Sequence, residues 1–99
     1  MNLDRFKSSL SRSEPPTGLT PALQALWWDA KGDWKRAHGC VDDEAGEIAA
    51  WAHAYLHRKE GDLGNAGYWY RQAGKSLFKG SSEDEWTAIA ASLLKQERA

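Results

Sequence analysis

The stretch "HRKEGDLGNAGYWYRQAG", residues 57–74, decides how the chain is read. It crowds a histidine, charges on both sides of Gly61, three consecutive aromatics and four glycines into eighteen positions. It is either an active site or a turn between two helices. The turn follows from Gly61-Asp62. A residue without Cβ takes the left-handed conformation that closes a helix, and an aspartate just after it accepts the free N–H groups that open the next one. The same punctuation stands at Gly32-Asp33. At an offset of twenty-nine residues, "WDAKGDWKRA" (28–37) and "HRKEGDLGNA" (57–66) agree at Gly-Asp, at an apolar residue two after the glycine, and at an alanine three further on.

Each unit therefore reads as helix, Gly-Asp turn, helix. This pattern resembles the tetratricopeptide-like helical hairpins, including their Sel1-like branch. The glycine, apolar and alanine places fall on Gly32, Trp34 and Ala37, and again on Gly61, Leu63 and Ala66. The Sel1-like spacing of Ala, Trp-Tyr and Ala falls on Ala66, Trp69, Tyr70 and Ala73. Over residues 21–74 the resemblance implies antiparallel hairpins stacked in a right-handed superhelix; the function expected is that of a non-enzymatic module whose aromatic and polar groove binds a peptide segment or a second copy of the chain.

Strand signals are weak, because Val and Ile occur only at Val41, Ile48 and Ile89 and no alternation is sustained. The fold class expected is all-α. Helices are predicted at 3–11, 21–31, 33–41, 44–60, 62–75 and 83–97. Thr20-Pro21 starts one of them with a capping hydroxyl and a proline suited to the first turn. The final helix is signalled by Ser82 and Glu85 as a capping box, with Lys95 and Arg98 near its end. Its stripe of Trp86, Ile89, Ala90, Leu93 and Leu94 suits a terminal cap over the repeats. The 99 residues then form a single helical domain: an N-terminal segment at 1–18, two hairpins at 19–75 and a capping helix at 82–97.

Thirteen Lys+Arg against fourteen Asp+Glu leave a net charge of -1, which disfavours nucleic acid and anionic membranes as partners. A single cysteine, Cys40, forms no internal disulfide. The first sixteen residues carry Asp4, Arg5 and Lys7 and no apolar run, so a cytoplasmic chain without a secretory signal is expected. Six tryptophans supply large packing surfaces for a small core.

For a binding surface the residues singled out are Tyr68, Arg71, His53, His57, Arg58 and Trp28, because aromatic and arginine side chains favour interfaces. Ala66, Tyr70 and Ala73 are expected to face the preceding helix, with Tyr68 and Arg71 on another side. The alternative is a metal or small-molecule site. His53, His57 and Glu60 share one helical face at i, i+4 and i+7, and His38 is brought near by the preceding antiparallel helix. On a helical wheel these three fall opposite Ile48, Ala52, Tyr55 and Lys59, so they are expected either to be solvated or to be displayed toward a concave surface. No complete catalytic or phosphate-binding motif is present, and no cofactor is expected: Ala54 stands where a zinc-protease helix needs glutamate.

Overall fold

In a computed structural model, residues 1–97 are described, and all regular structure among them is helical. Helix α1 (Leu3–Ser8) runs into a 3-10 turn at Ser9–Ser11; α2 (Pro21–Ala30), α3 (Trp34–Val41), α4 (Glu47–Glu60), α5 (Leu63–Gln72) and α6 (Ser82–Glu97) follow.

The local signals act as their chemistry requires. Thr20 Oγ1 accepts from the Leu23 N–H at 3.4 Å, with Pro21 in the first turn. Gly32 and Gly61 take φ of 84° and 93°. After them Asp33 accepts from the Arg36 N–H, and Asp62 from the Asn65 N–H, both at 3.1 Å.

Three expectations need correction. Helix α4 begins at Glu47 rather than residue 44, because Gly46 at φ 105° lies outside helical geometry. Helix α5 stops at Gln72 rather than 75, where Gly74 turns the chain with φ 70°. The capping box was placed one residue late: Ser81 Oγ accepts from the Asp84 N–H at 3.0 Å, which frees Glu85 for another role. Arg98 lies outside the described residues.

Helix α2 packs on α3 and α4 on α5, each pair across its Gly-Asp turn, while α4 also touches α2, α3 and α6. The core between α2, α4 and α6 is built from Leu23, Leu26, Trp27, Leu56, Ile89 and Ala90, all buried. Ala30 is exposed at the end of α2. The N-terminal segment closes over this core, with the Phe6 ring stacked on Trp86 at 5.6 Å and Lys31 Nζ donating to the carbonyls of Leu10 and Arg12.

Tryptophan N–H groups tie the layers together. Trp86 Nε1 donates to the Leu26 carbonyl at 2.9 Å, Trp27 Nε1 to Ser9 Oγ at 3.1 Å, and Trp34 Nε1 to the Leu56 carbonyl at 2.9 Å. Each of these indoles thus keeps its donor satisfied. No helix among the described residues is long and apolar enough to cross a membrane.

Two substitutions check the turn and the packing behind it. Gly61→Ala forces a side chain into a left-handed conformation and should cost about 1–2 kcal/mol. Ala66 is buried against Ala54 and Tyr70, so Ala66→Leu should cost about 1–3 kcal/mol by overpacking. Denaturant melts of the two variants beside the wild type measure both; wild-type stability in either places the turn elsewhere.

Candidate metal centre

Helix α4 is buried on nearly every side, and this overturns the expectation that His53 and His57 are solvated or displayed toward a concave surface. His53 is 2% exposed and His57 9%. The wheel placed them opposite the apolar residues correctly, but that opposite side is covered by α3 and α5. The overlooked signal is alanine. Ala49, Ala50, Ala52 and Ala54 let neighbouring helices approach α4 from several directions, and its charged residues stand only in its first and last turns.

His38 from α3 completes a triangle with His53 and His57. Ring centroids are 4.7 Å apart for His38–His53, 5.2 Å for His38–His57 and 5.0 Å for His53–His57. One ring nitrogen from each lies within 4.8 Å of the others. Two indoles roof the cluster, Trp34 stacked on His38 at 4.9 Å and Trp69 stacked on His53 at 4.0 Å.

Hydrogen bonding sorts the nitrogens. His57 Nδ1 meets Glu60 Oε2 at 2.9 Å, which leaves its Nε2 as the second ring nitrogen. Glu60 therefore sits behind His57, as a carboxylate orienting a ligand does, and is not a third donor beside it. His53 Nε2 and His38 Nε2 are 2.9 Å apart, so only one of the two carries a proton. His53 Nδ1 is buried and has no hydrogen-bond partner. Glu60, His57 and Asp62 form a second acidic grouping at the turn, but Asp62 is engaged by the backbone and side-chain N–H groups of Asn65. Those hydrogen bonds hold its carboxyl below the usual range.

Burial, followed by the neighbouring His38 and His57, pushes His53 down from 6.5 to about 4; Asp42 opposes the shift. The ring is neutral at physiological pH with a lone pair available. That is the form in which imidazole takes a metal ion.

The remaining residues singled out for binding separate. Arg58 is not on a surface: its Nη1 pairs with Glu85 Oε1 at 3.1 Å, and its Nη2 donates to the Gly80 carbonyl. Trp28 is half-buried, edge-on to Trp27, with the Arg36 guanidinium 4.5 Å from its ring centroid. Tyr68 and Arg71 are exposed on α5, and Tyr70 and Ala73 are buried. The six residues do not form one groove.

Two further polar clusters escaped sequence reasoning. Glu85 is fully buried and accepts from Trp51 Nε1 at 3.1 Å, Tyr70 OH at 2.5 Å and Arg58. Asp29 is buried at the base of an open pocket of about 620 Å³, where it accepts from Tyr55 OH at 2.5 Å and Lys59 Nζ at 3.0 Å. Burial first, and then these carboxylates, raise both tyrosine hydroxyls far above their ordinary range.

The His53 shift fixes the sign of a pH dependence in metal-free protein. The unfolded chain takes up this proton below about 6.5 and the folded chain only near 4. The stability contributed by neutral His53 is complete above pH 6.5 and is lost as pH falls towards 4. Unfolding free energies measured between pH 7 and 4 should fall more steeply for wild type than for His53→Gln; equal slopes contradict the assignment.

No protein-family model matches the chain, and no curated protein or solved structure matches it significantly. Its own side chains therefore carry the functional reading.

Proposed function

We propose that this protein binds a divalent transition-metal ion through His38, His53 and His57, on a scaffold of two tetratricopeptide-like hairpins capped by α6. The observation that carries the reading is the convergence of three imidazoles from two helices, two of them buried. Imidazole donors suit Zn²⁺ and its neighbours in the first transition series, and disfavour Ca²⁺ and Mg²⁺. A tetrahedral ion with bonds of about 2.0–2.1 Å separates its ligands by about 3.3 Å. One nitrogen from each ring lies within 4.8 Å of the other two.

The scaffold part of the reading is supported by the paired packing of α2 with α3 and α4 with α5, by contact of α4 with the first pair, and by α6 lying on α2 and α4. Repeated Gly-Asp turns of like geometry support it further.

The test is titration of protein prepared without a histidine tag. One equivalent of Zn²⁺ should bind, and a free concentration 100-fold above Kd should add about 2.7 kcal/mol of stability. His38→Gln alters a half-buried residue and tests the site without emptying the core. It should abolish stoichiometric binding, and Glu60→Gln should weaken it by about 10–100-fold. An unchanged melting temperature and no heat of binding in the wild type would rule the centre out.

A second reading, a module that binds another copy of itself, is favoured by the outer side of α5. Tyr68 there is 47% exposed and Leu63 61%, with exposed Arg71 one turn beyond Tyr68. On this reading Tyr68→Ala leaves stability within about 0.5 kcal/mol, as surface changes do, while lowering the self-association constant in sedimentation equilibrium. A monomeric wild type at millimolar concentration removes this reading and leaves the metal centre standing.

A further inference from the structure

We propose that Asp42 is the fourth ligand of the three-histidine centre, so that a Zn²⁺-class ion is held entirely by protein donors. The inference rests on the metal-binding reading above and adds to it a residue, a coordination number and a role.

Two i, i+4 pairs face each other across adjacent helices. His53 and His57 form the pair on α4; His38, in α3, and Asp42, its C-cap, form the other. Residues so spaced lie on one side of a helix, and the packing of α3 on α4 brings the two pairs together. Asp42 Oδ1 lies 3.8 Å from His38 Nε2, at the edge of the three imidazole nitrogens that are within 4.8 Å of one another. The carboxylate makes no other ion pair or side-chain hydrogen bond among the described residues. Half of its surface meets solvent, so the side chain has room to swing from the rim onto an ion.

Charge gives an independent reason. Three neutral imidazoles leave a divalent ion with its full charge of +2 beside two buried rings, and uncompensated charge in such a setting is costly. Asp42 reduces the net charge to +1, and Glu60 behind His57 brings the local sum to zero. The set His38, His53, His57 and Asp42 matches the tetrahedral N and O coordination of Zn²⁺. With four protein donors the ion has no open position, and closed sites are structural: the metal fastens the end of α3 to the middle of α4 and does not activate water.

The experiment compares wild type, Asp42→Ala and the neighbouring control Asp43→Ala, each with Zn²⁺ by calorimetry and with Co²⁺ by visible absorption. Asp42→Ala should weaken Zn²⁺ by at least the 10–100-fold that loss of an outer-shell partner costs, and should change the Co²⁺ band as water replaces carboxylate. Asp43→Ala should leave affinity and spectrum unchanged. Circular dichroism of the metal-free variants verifies that each is folded. Wild-type affinity and an unaltered Co²⁺ band in Asp42→Ala overturn the fourth ligand while leaving a three-histidine centre in place. Failure of the wild type to bind either ion overturns both.

Discussion

The architecture depends on a carboxylate that has no access to water. Glu85 enters at the start of α6, is fully buried, and is met by an indole from α4, a phenol from α5 and the Arg58 guanidinium from α4. Removing one partner from a buried ion pair costs about 3–5 kcal/mol, because the other charge is left uncompensated. The three helices that contribute these groups therefore cannot shift independently. Arg58 also donates to the Gly80 carbonyl, which fixes the segment leading into α6.

The reason such a group is needed lies in α4. A helix whose sides are covered by α2, α3, α5 and α6 has little solvent in which to place its polar residues. It uses alanine where helices approach closely, and it pairs its polar side chains across the interfaces. Towards α2, Tyr55 and Lys59 meet Asp29. Towards α5 and α6, Arg58 and Trp51 meet Glu85. Towards α3, His53 and His57 meet His38. The aromatic rings fill the remaining volume and bring their own N–H donors to backbone or carboxylate acceptors.

Local chemistry was legible in the sequence and long-range covering was not. Helix ends at Gly32-Asp33, Gly61-Asp62 and Thr20-Pro21 are encoded within a few residues, so they could be placed without knowing the rest of the molecule. The buried stripe of α6 follows from its period of apolar residues. A wheel gives the angle of His53 relative to Tyr55 but cannot say that a second layer lies over the histidine side. Glu85 shows the same limit: three residues after a serine it reads as a cap, and only contact with Arg58, 27 positions earlier in the chain, shows a buried ion pair. His38 could be suspected beside His53 because an antiparallel partner was expected. The role of Glu60 depended on a ring orientation that spacing does not determine.

The three polar clusters around α4 differ in one respect, and the difference bears on what the third is for. Asp29 has Lys59 and Glu85 has Arg58, so each buried carboxylate has a cation in contact. The histidine cluster has bases in its interior and carboxylates, Glu60 and Asp42, at its rim. Protonation would supply the missing cation only at the cost of burying charge among like charges, and the depressed His53 records that cost. A metal ion supplies positive charge while using the lone pairs that protonation would consume. It would give the third cluster the same arrangement as the other two: a cation inside, with negative charge in contact with its ligands.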